Sequence, residues 1–228
     1  LSAARELVAR PHAPAAGTPY FDEDLQVAQS NAHRIMVSET APILAAVAAE
    51  AGLLFLSDEP IWYLHPETDE QRTYYGDAVI ARATDRERIT AADLLLVIEV
   101  VSTHDRRKEL KDTRFQRLLN EYNDVTEFAL VFPELDDPRA LTWHRLVDGQ
   151  YEEHVVAPRG RVQSLAVPEL ELAVLPRDAW HAGYKIDVYY RGELRPRLLG
   201  ERERVGQERA RAERLAAQLR ALGVDPDA

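Results

Sequence analysis

The pattern of apolar and polar residues changes character along this chain. Residues 1–19 are rich in Ala and Pro and show no period, which predicts a loose N-terminal arm. Residues 20–52 carry apolar side chains at a roughly helical spacing, which predicts a helix that Pro42 either kinks or divides in two. From residue 53 onward, short apolar runs alternate with polar turns, as strands do.

Several short segments in the middle of the chain predict strands around one helix. The predicted strands are residues 53–56, 61–64, 77–81, 94–101, 128–132, 141–146 and 151–157, with one or two more within 165–175. The run 94–101 is apolar without alternation, so we expect a central strand covered on both faces. Residues 106–123 have helical spacing, and the pair Asp148-Gly149 predicts a hairpin turn.

The C-terminal part of the chain has a seven-residue period. One heptad position is occupied by Leu198, Val205, Ala212 and Leu219, and the position three residues further on by Glu201, Glu208, Leu215 and Leu222. This pattern predicts a helix over residues 198–222 with a short coiled coil near its end, and therefore a homodimer. The predicted organisation is an arm (1–19), a core domain (20–180), a linker (181–197) and this helix.

Composition narrows the class of protein. Of 228 residues, 46% are hydrophobic, so the chain can bury a core. The absence of Cys excludes disulfides and thiolate zinc sites, and with no apolar run long enough to cross a membrane it predicts a cytoplasmic protein. The net charge of -11 argues against a broad nucleic-acid-binding surface but leaves room for a local basic channel.

Two carboxylates lie at the ends of two predicted strands. Asp77 opens the run 77–81, and Glu99 lies near the end of the run 94–101. If they converge, two like charges ~4 Å apart repel by about 4 kcal/mol at an effective dielectric near 20. A divalent cation would relieve that repulsion, and hard oxygen ligands suit Mg²⁺ or Mn²⁺. The alternative is that each acid caps a strand end or pairs with an Arg.

An ordered set of short stretches resembles a known family. The stretches are Asp24-Leu25-Gln26, Trp62-Tyr63, Asp77-Ala78-Val79, Val97-Ile98-Glu99-Val100-Val101-Ser102, Glu109-Leu110 and Val125-Thr126-Glu127-Phe128. In this order they resemble the Uma-type family of putative restriction endonucleases, a branch of the PD-(D/E)XK nuclease superfamily. The resemblance implies an α/β fold: a restriction-endonuclease-like mixed sheet flanked by helices, here with a C-terminal helical extension.

The resemblance also implies a metal site. Asp77 and Glu99 match the two acids that hold magnesium in this family, and Asp24 or Glu23 lies where a third, N-terminal acid often completes the site. The family's lysine is displaced into the helix after the Glu strand, where Lys108 and Lys111 are the candidates.

Two departures from the family pattern concern the site directly. Gly76 stands where the family usually has Pro. The position of the family's lysine falls on Gln116 when counted from Val125, and on Thr113 when counted from Glu109, so the helix contains an insertion.

Two functions follow from the sequence. The first is a magnesium-dependent endonuclease that hydrolyses DNA phosphodiester bonds, with Asp77 and Glu99 on the metal and Lys111 or Lys108 as electrostatic helper. The alternative is a catalytically inactive nuclease fold that acts as an interaction or regulatory module and assembles through its C-terminal helix. His33, near the start of a predicted helix, is expected to be solvated or to cap that helix.

Overall fold

The computed structural model describes residues 30–102 and 105–197, together with the backbone of two short strands, β1 (Phe21–Asp22) and β2 (Val27–Ala28). The chain divides into two compact units, Leu1–Arg195 and Pro196–Ala228, and every described helix and strand belongs to the first. The predicted arm, Asp24 and the predicted C-terminal helix with its coiled coil lie outside the described residues.

Within residues 30–102 and 105–197, the structure has three α-helical segments, one π-helical turn and many short strands. The helices are α1 (Asn31–Glu50), α2 (Arg106–Leu110) and α3 (Arg117–Tyr122), and the π turn (Lys111–Gln116) joins α2 to α3. The strands are β3 (Leu54–Leu56), β4 (Ile61–Leu64), β5 (Gln71–Tyr74), β6 (Ala78–Ala81), β7 (Leu94–Val100), β8 (Glu127–Val131), β9 (Leu141–Val147), β10 (Gln150–Val156), β11 (Arg161–Gln163), β12 (Leu170–Val174), β13 (Ile186–Tyr190) and β14 (Glu193–Leu194).

A six-stranded mixed sheet forms the centre of the molecule. Its strand order is β10-β9-β8-β7-β6-β3; β7 and β8 run parallel, and the other neighbours are antiparallel. The helical segment of residues 106–122 makes the connection that a parallel pair requires. All seven residues of β7 are buried, which confirms the predicted central strand and the α/β class.

The two faces of this sheet bury different partners. On one face, Ile80 and Ile98 pack with Met36 and Leu44 of α1. On the other face, Val79 and Val97 join a cluster with Tyr63 of β4, Leu119 of α3 and Phe128 of β8. Because side chains alternate along a strand, Glu99 belongs to the face of Val97, under the β4–β5 hairpin and the α2–α3 segment.

Helix α1 is shorter than predicted and continuous through its proline. It begins at Asn31 after the N-cap Ser30, whose hydroxyl accepts a hydrogen bond from the His33 amide (3.0 Å). Pro42 lies inside the helix, which continues to Glu50. No helix within residues 30–102 and 105–197 combines the length and apolar character that crossing a membrane requires.

A second sheet, of order β11-β12-β13-β14, packs against the other side of α1. Residues 181–197, for which the sequence predicts a linker, contain β13 and β14 of this sheet. Ile186, Val188 and Tyr190 of β13 alternate inward and are buried in the same cluster as α1. Residues 181–195 of this stretch are therefore a structural part of the first unit.

Candidate active site

The ends of β6 and β7 bring Asp77 and Glu99 together. Ala78 is paired with Ile98 in the antiparallel ladder, so one step further places Asp77 opposite Glu99. Gly76 precedes them, and a Cβ built on this glycine would lie 3.5 Å from Oε1 of Glu99. The two carboxyl groups also act on each other electrostatically, since the charge of Asp77 raises the pKa of Glu99.

The Asp77 carboxylate is fixed on two sides. Its Oδ2 accepts a hydrogen bond from the Val100 amide (2.7 Å), and its Oδ1 lies 3.2 Å from Nε2 of His33. Burial by itself raises the pKa of Asp77. The charge and the contact of His33, the charge of Lys108 and the Val100 hydrogen bond outweigh burial and lower this pKa to about 2. Asp77 is therefore ionised over the whole physiological range.

The pKa of Glu99 is shifted in the opposite direction from that of Asp77. Its residue is only 5% exposed, and burial raises the pKa of its carboxyl group well above the ordinary value. The negative charges of Asp77 and Asp112 raise this pKa further, while Lys108 and Lys111 oppose the rise. Paired acids whose environments push their pKa values apart are a common feature of catalytic sites.

The helical segment after β7 contributes a buried ion pair. Nζ of Lys108 lies 3.4 Å from Oδ2 of Asp112, four residues later, and the two residues are 5% and 2% exposed. Burial raises the pKa of Asp112 to about 6, against the lowering effect of Lys108. Lys111 is half-buried, and its charge lowers the pKa of Glu99 and of Asp112. Both candidate lysines thus lie close enough to act on the acids.

The two positions where the family's lysine was expected hold neutral residues with local roles. The Thr113 hydroxyl donates a hydrogen bond to the backbone carbonyl of Glu109 (2.6 Å). Gln116 is buried, and its backbone carbonyl accepts a hydrogen bond from the side-chain amide of Asn120. Both positions lie in the π turn. A π turn contains more residues per turn than an α-helix. It lies in the stretch where counting from Glu109 and counting from Val125 place the family's lysine at different residues.

Two residues of the site, His33 and Asp112, were not predicted from the sequence. His33 was expected to be solvated or to cap the helix, and this prediction was wrong: the residue is 1% exposed, and only its backbone amide takes part in the cap. It shares the buried face of α1 with Met36 and Thr40, a spacing that the sequence offered as a signal. Asp112 was missed because opposite charges four residues apart usually form an exposed helical pair.

The acids suit a hard divalent cation as a two-carboxylate site. Within residues 30–102 and 105–197, no three His, Cys, Asp or Glu side chains are grouped to hold a metal ion. Asp77 and Glu99 nevertheless lie opposite each other at the ends of their strands, and the charge of Asp77 raises the pKa of Glu99. Carboxylate oxygens are the ligands that Mg²⁺ and Mn²⁺ prefer. Asp24, the expected third ligand, lies outside the described residues.

A family model matches most of this chain. The model of the Uma2 family, described as "Putative restriction endonuclease", matches residues 11–175. The chain belongs to the Uma2 family. The match includes both strands of the acidic pair and the whole segment from α2 to α3, so the resemblance noted in the sequence is confirmed.

One solved structure is similar to this Uma2 chain at low sequence identity. A crystal structure from Anabaena variabilis, described as "a putative nuclease belonging to DUF820", is similar to it at 15% sequence identity and a TM-score of 0.48. The similarity covers 64% of this chain and 80% of that one. The comparison with curated proteins finds no match.

Proposed function

We propose that this protein is an endonuclease that hydrolyses DNA phosphodiester bonds with a divalent cation, Mg²⁺ or Mn²⁺. Asp77 and Glu99 hold the cation, and Asp24 completes the ligand set. Lys108 or Lys111 acts as the electrostatic helper. Membership in a family described as restriction endonucleases supports DNA as the substrate.

The observation that carries the proposal is the pair of carboxyl groups at the ends of β6 and β7, partly buried at Asp77 and buried at Glu99. Asp77 raises the pKa of Glu99, which means that the two groups resist being charged together. Above the ordinary pKa of a Glu, this arrangement costs the metal-free protein folding stability. A divalent cation would remove the repulsion, and it would supply an activated water and a stabilising charge for the phosphoryl oxygens.

The surrounding residues orient these acids. The Val100 amide and His33 hold Asp77 from two sides, so its carboxylate is fixed before any ligand arrives. The burial of Glu99 and the positive charge of the nearby lysines favour a site in which developing negative charge is stabilised by fixed groups. Substrate phosphate would approach the side on which these lysines lie.

Nicking of supercoiled plasmid DNA tests the proposal. The wild-type protein should nick the plasmid with Mg²⁺ or Mn²⁺ and lose this activity in chelator. Asp77→Asn and Glu99→Gln should each lower the rate by about 10²-fold or more, the size seen when a charge-stabilising group is removed. Glu152→Gln, which changes an exposed acid on β10, is the matched control and should leave the rate unchanged. Nicking that survives both site substitutions would contradict the proposal.

The inactive interaction module remains the second candidate because of one observation. Lys108 lies beside Asp112 and His33 beside Asp77, so Lys108, and His33 when it is protonated, offset part of the acidic charge without a metal. This candidate predicts no nicking and no change of melting temperature on adding Mn²⁺. A stabilisation by Mn²⁺ that requires both Asp77 and Glu99 would exclude it.

A further inference from the structure

Lys108 and Asp112 form a pair of opposite charges that is almost completely buried. A Lys inside a protein needs a partner, because an unpaired buried charge is costly. The separation of 3.4 Å exceeds the usual length of a charge-assisted hydrogen bond, and Oδ2 of Asp112 accepts no hydrogen bond. The Lys108 ammonium group and Oδ2 of Asp112 therefore attract each other electrostatically without forming a hydrogen bond.

Lys108 is better placed than Lys111 to act on the acidic pair. The charge of Lys108 influences the pKa values of Asp77, Glu99, Asp112 and His33, and its effect on Glu99 and on Asp112 is larger than that of Lys111. Lys108 is also buried, while Lys111 is partly exposed. An ammonium group in a buried site is screened less by water and ions than an exposed one.

The π turn sets the position of the partner. It begins at Lys111, so Lys108 is the last-turn residue of α2 and Asp112 is the second residue of the π turn. Single π turns often occur at functional sites. The two positions that correspond to the family's lysine hold Thr113 and Gln116, which carry no charge. A positively charged side chain near the acids therefore has to come from another position in this segment.

We propose that Asp112 is a positioning residue that holds the Lys108 ammonium group beside Asp77 and Glu99, and that this pair takes the place of the lysine missing at residues 113 and 116. The inference rests on the proposed function and deepens it, because it selects Lys108 over Lys111 as the helper. Asp112 acts through Lys108 and touches neither substrate nor cation.

A double-mutant cycle tests whether Asp112 acts through Lys108. At saturating Mn²⁺ and DNA, Lys108→Met and Asp112→Asn should each lower the nicking kcat by about 10²-fold, with KM for DNA little changed. The double variant should be no slower than Lys108→Met alone, since residues that act as one unit are not additive. Asp112→Glu should recover part of the rate, and Lys111→Ala should lower the rate less than Lys108→Met does.

A second readout does not depend on activity. The chain has three lysines, at 108, 111 and 185, so NMR of the side-chain Nζ groups reports on each one in the metal-free protein. Asp112→Asn should move the Lys108 signal and leave the Lys185 signal in place, because Lys185 is held by the carbonyls of Asp137 and Arg139. Circular dichroism establishes that each variant is folded.

The outcomes separate the inference from the proposed function. If the wild type nicks DNA but the two single effects add, or if Lys111→Ala is as damaging as Lys108→Met, the positioning role is overturned while the endonuclease stands. An unmoved Lys108 signal in folded Asp112→Asn would overturn it as well. If the wild type neither binds Mn²⁺ nor nicks DNA, the proposed function fails and the inference fails with it.

Discussion

At the scale of single residues, the site contains two acids with opposite tendencies. Asp77 is stabilised as an anion by His33, Lys108 and the Val100 amide, whereas Glu99 is driven towards its protonated form by burial and by neighbouring acids. The metal-free protein thus has one carboxyl group that is readily ionised and one that binds its proton more tightly than an ordinary Glu does. Cation binding should therefore strengthen as pH rises, because protons and metal compete for the same oxygen atoms.

Glu99→Gln should stabilise the metal-free protein at neutral and alkaline pH. The folded state binds the Glu99 proton more tightly than the unfolded chain does, so this side chain favours folding below its ordinary pKa of 4.5. That stability is lost as pH rises towards the raised folded-state pKa. Glutamine does not titrate, so we expect the variant to gain about 1 kcal/mol or more over the wild type at pH 8, within the usual range for one substitution.

Urea unfolding in chelator at pH 4.5 and pH 8 measures this difference. The advantage of the variant should be small at the lower pH and grow with pH, and Mn²⁺ at pH 8 should reverse it by stabilising the wild type alone. A variant that is less stable than the wild type at pH 8 in chelator would show that the Glu99 charge is well accommodated, contrary to this account.

At the scale of elements, the start of β6 is packed closely around a glycine. A Cβ added at Gly76 would lie 2.6 Å from Cγ2 of Val79, which is completely buried, but at an ordinary 3.5 Å from the Glu99 carboxyl. Gly76→Ala should therefore destabilise the fold by about 1–3 kcal/mol through overpacking, and it should leave the geometry of the acidic pair intact.

Thermal unfolding of a small set of variants measures the overpacking. Val79→Ala alone should destabilise the protein, but in the Gly76→Ala background it should cost less, because it removes the atom that the new methyl group meets. Strictly additive losses would mean that the strand shifts elsewhere to accept the methyl group.

The strands that the sequence predicted are those with a strong apolar pattern. The continuous run of β7 and the hairpin of β9 and β10 around Asp148-Gly149 were predicted within one residue at their ends. Strand β5 was missed because its residues, Gln71–Tyr74, are polar and largely exposed. Strand β13 does alternate inward, but its five residues are short enough to be read as a linker.

The acidic pair could be predicted, but its surroundings could not. Asp77 and Glu99 lie at the ends of apolar runs in the sequence, and these runs form the neighbouring strands β6 and β7 in the structure. The contact of His33 with Asp77 joins residues 44 positions apart, from a helix and a strand, and no local pattern reports it. The same holds for the burial of Lys108 and Asp112, which depends on the hairpin and the sheet beneath them.

At the scale of the whole molecule, the first unit needs the second sheet. Ending the chain after residue 180 removes β13, whose three inward side chains belong to the main buried cluster, and this variant should not fold. Ending it after residue 197 keeps every described strand and should retain a cooperative unfolding transition in circular dichroism. A well-folded protein of residues 1–180 would instead support a linker at 181–197, as the sequence predicts.

The central claim is that Asp77 and Glu99 hold one divalent cation, and calorimetric titration with Mn²⁺ tests it most directly. The wild type should bind one ion, Asp77→Asn and Glu99→Gln should each weaken binding by about tenfold or more, and Glu152→Gln should bind like the wild type. Circular dichroism establishes that the variants are folded. Binding of Mn²⁺ that is unchanged in both site variants, or no binding by the wild type at pH 8, would contradict the account.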